Sequence, residues 1–264
     1  MIARIVLPSA ALFATFALFH SQPLVAQDWA REKLEKSPRH GEWVEVKHGE
    51  RTVRCFLVYP EVKTKAAAVV VVHEIFGLTD WVRGVADQLA EAGYIAIAPD
   101  LLSGQVLTGV DEARKAISQL PEAQVMADLE AATAQVGKLP ACNGQVAIAG
   151  FCWGGGTVFK FANQSPNLKA AFVFYGPGPT DSAGVAKIAC PVYGFYAEND
   201  ARVNSTIPKS EEEMKAAGKT FEPQTYPGAG HGFMRAGEAP DASEANRKAR
   251  DEAWSRWKSL LQKL

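Results

Sequence analysis

Apolar and polar positions along the chain follow two alternating periods. Residues 66–72 read Ala-Ala-Ala-Val-Val-Val-Val, too continuously apolar for a half-exposed strand, and predict a strand buried on both faces. Shorter apolar runs at 94–98, 145–151, 170–175 and 192–196 predict further buried strands, and 221–226 a last one. Between them the period lengthens to that of helices. Over 80–92, Val82, Val85, Leu89 and Ala90 line one face and Gly93 stops the pattern. Residues 111–137 are helical with a break at Pro121, a helix follows 152 through about 163, and a short one covers 209–217. The final helix carries Ala245, Ala249, Ala253, Trp257 and Leu260 on one side. Upstream, Trp43-Val44-Glu45-Val46 and 51–59 predict an antiparallel hairpin turning near His48-Gly49. Strands alternating with helices imply an α/β fold, a mostly parallel sheet covered by helices on both faces. No repeat, low-complexity linker or composition shift divides 27–264, so one domain is expected there.

Residues 1–26 differ from the rest of the chain. A short basic start ending at Arg4 precedes an apolar run over 5–19, and Pro23-Leu24-Val25-Ala26 leads into the polar Gln27-Asp28. That is the three-part layout of a secretory signal peptide, cleaved after Ala26, and it predicts an exported protein, periplasmic or secreted. The apolar run is short for a bilayer span, so no membrane attachment is expected after cleavage. With 47% hydrophobic residues the chain can fill a large core, and a net charge of −1 without a basic cluster excludes nucleic acid as a partner. A monomer is expected. The four cysteines, at 55, 142, 152 and 190, form no Cys-x-x-Cys pair, so no zinc or thioredoxin-type site is indicated. Cys142 and Cys190 both precede predicted strands at one sheet edge, where either a disulfide or two buried thiols would fit.

Cys152 carries the chemistry. Gly150-Phe151-Cys152-Trp153-Gly154 is the nucleophile-elbow pattern Gly-x-Ser-x-Gly with cysteine in the serine position. Glycines flank the turn because side chains would clash there, and the free N–H groups of the following helix favour negative charge on the sulfur. Functional groups of such sheets gather at the carboxyl ends of strands. Asp200 ends one predicted strand, and His231 lies in the glycine-rich stretch Pro227-Gly228-Ala229-Gly230-His231-Gly232 after the last. Imidazole is the neutral-pH base for a thiol proton, and a carboxylate fixes its tautomer. Glu198 is the rival acid, two residues before Asp200. After the central strand comes His73-Glu74-Ile75-Phe76-Gly77, which lacks the second histidine of a zinc motif. Glu74 could accept the thiol proton, while the N–H groups of Ile75 and Trp153 occupy oxyanion-hole positions.

These motifs resemble the dienelactone hydrolase family of cysteine-dependent α/β-hydrolases. The likeness rests on 73–77, on Pro99-Asp100-Leu101, on 150–155, on Asp200 with Val203, and on His231-Gly-Phe-Met-Arg235. It implies a Cys152–His231–Asp200 triad, Glu74 holding the resting thiol, Arg235 gripping a substrate carboxylate, and hydrolysis of a small ester or lactone without metal or cofactor. Family members with authentic dienelactone activity typically carry a second arginine after Pro-Asp-Leu. Here that stretch runs Leu102-Ser103-Gly104-Gln105, so half of the expected anion clamp is missing unless Arg83, Arg202 or another residue replaces it. The alternatives are a catalytically silent binding protein on the same fold and a redox-sensing thiol at Cys152.

Overall fold

The computed structural model describes residues 27–179 and 182–264. The expected signal peptide, 1–26, lies outside the described residues. In chain order the elements are α1 (Asp28–Glu35), β1 (Gly41–His48), β2 (Arg51–Val58), β3 (Ala66–Val72), α2 (Asp80–Glu91) and β4 (Ile95–Pro99). Then come α3 (Val110–Ser118), α4 (Glu122–Gly137), β5 (Cys142–Phe151), α5 (Trp153–Ala162), β6 (Ala171–Phe174) and α6 (Ser182–Val185). The last third holds β7 (Val192–Asn199), α7 (Ala201–Asn204), α8 (Ile207–Ala216), β8 (Phe221–Gly230), α9 (Phe233–Ala236) and α10 (Glu244–Leu261). The strands form one sheet in the order β1-β2-β4-β3-β5-β6-β7-β8. Strand β2 runs antiparallel to β1 and β4, and every other pairing is parallel.

The unbroken apolar run of β3 is explained by its place between β4 and β5, under helices on both sides. Successive side chains of a strand point to opposite faces. Accordingly Val69 and Val71 join the core under α2 and α10, with Trp81, Phe151, Phe174 and Trp257. Val70 and Val72 join the core under α4 and α5, with Leu129, Ile148 and Phe159. All seven residues of β3 are buried.

Helix α1 falls in a stretch that reads only as polar. Its single fully buried side chain is Ala30, with Trp29 and Leu34 packed at the edge of the α2-side core. The chain beyond it is fastened by Asp87 of α2, which accepts from Arg39 Nη2 at 2.6 Å and from Ser37 Oγ at 2.5 Å. The β1–β2 hairpin is anchored by the buried Asp128 of α4, which receives Arg51 Nε at 2.8 Å and lies 2.5 Å from His48 Nε2. All four cysteines are free thiols, so Cys142 and Cys190 stand as separate buried groups.

Parallel strands bring their carboxyl ends to one edge of the sheet. The ends of β3, β5, β7 and β8 therefore deliver Glu74, Cys152, Asp200 and His231 to the same side.

Candidate active site

Cys152 sits between β5 and α5 with φ 56° and ψ −117°, one of three non-glycine residues with positive φ among those described. Such a conformation costs on the order of 1–3 kcal/mol and persists only where the surroundings impose it. They do so by contact. A Cβ on Gly154 would lie 2.5 Å from the carbonyl oxygen of His73, and one on Gly150 would lie 2.2 Å from that of Gly154. The Cys152 N–H donates to Phe174 O at 3.0 Å, and its carbonyl accepts from Gly155 N at 3.0 Å, locking both sides of the turn.

Strand β8 runs to Gly230, four residues beyond the apolar pattern, and sets down His231 directly at its end. The Asn246 side chain accepts from Gly230 N at 3.0 Å, and Gly232 takes a left-handed φ of 78° to start α9. His231 Nε2 lies 3.1 Å from Cys152 Sγ, and its Nδ1 lies 2.5 Å from Asp200 Oδ2. Asp200, buried as the N-cap of α7, also accepts from Val203 N at 3.4 Å. Asp200 is thus the acid that meets the histidine. Glu198 is exposed and caps Gly228 N instead, at 2.8 Å. Burial opposes a charge on His231, but hydrogen bonds to Asp200 and Cys152 outweigh it and push the imidazole up to about 10. Burial works against the Asp200 carboxylate too, yet its bond to His231 holds it below the ordinary carboxyl value.

Glu74 is brought beside this chain of groups, but its carboxylate is engaged with Arg235 rather than with the thiol. Arg235 Nε donates to Glu74 Oε2 at 2.7 Å, with Glu74 buried and Arg235 largely so. The Glu74 charge outweighs desolvation and raises the Arg235 pKa further. The guanidinium lies over the ring of Phe76, 5.6 Å from its centre. Ile75 follows Glu74 in the loop after β3, and Trp153 opens α5, where the first N–H groups of a helix have no intrahelical acceptor. Gly104 adopts a φ of 90° and donates its N–H to Asp100 Oδ2 at 2.6 Å, with open space where a side chain would stand. Arg83 pairs with Asp80 and lies 5.7 Å from the Trp43 ring, and Arg202 is exposed on α7.

Two further residues of this site have no role assigned by the sequence pattern. Tyr175, just past β6 with φ 39°, is fully buried and sets its ring edge-on to His231, 5.2 Å between centres. Burial raises its hydroxyl pKa well above the ordinary value. Its place at a strand's carboxyl end is the signal that could have found it. His73 is fully buried, and its Nδ1 lies 2.6 Å from the Glu74 carbonyl oxygen.

A strained strand-to-helix turn that displays a thiol, with an acid and a histidine following on later strand ends, is the arrangement of an α/β-hydrolase. The chain belongs to the dienelactone hydrolase family, whose model matches residues 53–264. It is 36% identical over 181 residues to a candidate carboxymethylenebutenolidase of Methylorubrum extorquens, covering 62% of this chain and 62% of that protein. A second such candidate, from Synechocystis, is 31% identical over 78% of this chain and 90% of its own length. Among solved structures, a candidate dienelactone hydrolase of Klebsiella pneumoniae superposes with a TM-score of 0.77 at 26% identity, covering 86% of this chain and 99% of that one.

Proposed function

We propose that this hydrolase cleaves a small carboxylic ester or lactone through a thioacyl-enzyme on Cys152. The observation that carries the reading is the continuous chain Cys152 Sγ, His231, Asp200, joined at 3.1 and 2.5 Å at the apex of the elbow. In the first half-reaction the thiol proton has already passed to His231 Nε2, where the raised imidazole pKa keeps it, and the sulfur adds to the substrate carbonyl carbon. The oxyanion is held by the N–H groups of Ile75 and Trp153. As the C–O bond to the leaving oxygen breaks, His231 returns the proton to that oxygen. In the second, His231 takes a proton from water, the hydroxide adds to the thioester carbon, and the C–S bond breaks. The sulfur leaves with the pair of electrons and the proton stays on His231, which restores the starting pair.

Arg235 serves as anchor for a substrate carboxylate. Only its Nε is engaged with Glu74, so its other N–H donors remain for a second acceptor. Glu74 thereby sets the position of Arg235. Export through 1–26 belongs to the same reading, supported by the layout of that segment. A mature N-terminus at Gln27 in protein recovered from outside the cytoplasm tests it.

The chemistry is tested by hydrolysis of matched carboxylated and neutral esters and lactones, with Cys152→Ala in parallel. Cysteine-dependent turnover that favours the carboxylated members is expected. Turnover that survives Cys152→Ala would overturn the thioacyl route.

A further inference from the structure

We infer that His73 is a positioning residue that fixes and polarises the peptide unit donating to the oxyanion. The inference rests on the proposed function and goes beyond it. His73 Nδ1 lies 2.6 Å from the carbonyl oxygen of Glu74. A carbonyl can only accept, so the proton is on Nδ1. That carbonyl belongs to the same rigid amide plane as the N–H of Ile75, one of the two oxyanion donors. Holding the oxygen end of a planar unit fixes where its N–H end points. Charge drawn toward the bonded oxygen also makes the N–H a stronger donor. Gly77 N, at 3.4 Å, is a longer second donor to the same oxygen and leaves the imidazole as the principal one.

The imidazole suits this task. It is fully buried, and burial lowers its pKa, so it stays neutral with a single tautomer. Nε2 has no hydrogen-bond partner among the described residues, so no competing contact turns the ring. The ring stacks on the indole of Trp153, 5.6 Å between centres and 30° between planes. Trp153 supplies the other oxyanion donor. The close approach of Gly154 to His73 O presses the elbow directly against the end of β3. One side chain therefore touches both halves of the oxyanion site without touching substrate.

Two amide substitutions separate positioning from mere packing. His73→Asn carries an N–H near the place of Nδ1, whereas His73→Gln carries it near Nε2. Each is measured for kcat and KM on an ester that the natural protein cleaves through Cys152, and for alkylation of Cys152 by iodoacetamide. Alkylation displaces iodide from a saturated carbon and develops no oxyanion, so it reads the nucleophile and histidine alone. His73→Gln is expected to lower kcat by about 10- to 100-fold, with KM and the alkylation rate within about threefold of the natural protein. His73→Asn should recover at least about tenfold of a hundredfold loss. Equal kcat in the two variants, or an alkylation rate that falls in step with kcat, would overturn the inference. In the unaltered protein, imidazole nitrogen NMR should report the Nδ1–H tautomer, and an Nε2–H tautomer would overturn it with no variant needed. Absence of any Cys152-dependent turnover in the natural protein would remove the proposed function, and this inference with it. Normal turnover with an unaffected His73→Gln variant would remove the inference alone.

Discussion

At the scale of single residues, the site is governed by two charge pairings that have no residue in common. His231 and Asp200 form one. His231 is raised from 6.5 to about 10, so its contribution to stability is complete below pH 6.5 and is lost as pH rises through about 10. Asp200 is lowered from 3.8, so its contribution is complete above that value and is lost as pH falls through the lower folded one. Asp200→Asn should therefore destabilise most between about pH 4 and 6.5, as thermal unfolding across pH would reveal. The same substitution removes a contact that raises His231. The alkaline limb of the acylation rate, expected near pH 10 in the natural protein, should move to lower pH in stopped-flow measurements. Glu74 and Arg235 form the second pair. Glu74→Ala leaves a mostly buried guanidinium without its carboxylate, and a loss of about 3 kcal/mol in urea unfolding is expected. Arg235→Met added to it should restore part of that loss, because a neutral chain of similar length needs no counter-charge.

Among the elements, glycines with opposite surroundings predict opposite outcomes. In α5, Gly154 faces the carbonyls of Val72 and His73 at 2.6 and 2.5 Å from a notional Cβ, so Gly154→Ala should abolish cysteine-dependent turnover and lower the melting temperature. In α2, Gly84 has nothing within 4 Å of such an atom, and Gly84→Ala should add about 0.5–1 kcal/mol of stability by the same unfolding assay. Sequence pattern revealed the elements whose burial is regular. Strand β3 was legible because no polar residue interrupts it, and α10 because Ala249, Ala253 and Trp257 recur on one face. Helix α1 was not, since it buries only Ala30 and leans on α2 through its edge. Helices α7 and α9 have four residues each, too few to show a period. The elbow, Asp200 and His231 were readable because glycines and strand ends mark them. The Arg235–Glu74 pairing was not, because its partners are 161 positions apart and only folding joins them. The contact of Tyr175 with His231 was hidden likewise, its residue type being ordinary for a strand end.

Across the whole molecule, burial separates four chemically identical thiols into one accessible group and three enclosed ones. Desolvation pushes Cys55 up to about 12 and Cys190 up to about 11, and Cys142 is buried as well. Only Cys152 lies partly open, beside His231. Intact-mass analysis after brief iodoacetamide treatment at pH 8 should show a single adduct on the folded protein and none on Cys152→Ala, against all four thiols labelled once it is unfolded. The elbow has a consequence for how such an enzyme can change over generations. Its left-handed turn is imposed by neighbouring backbone, through Gly150 and Gly154, rather than by the thiol at position 152. A serine there would inherit the same backbone geometry and face the same histidine. The glycines beside it have no such freedom, because any side chain there would run into the backbone that shapes the turn.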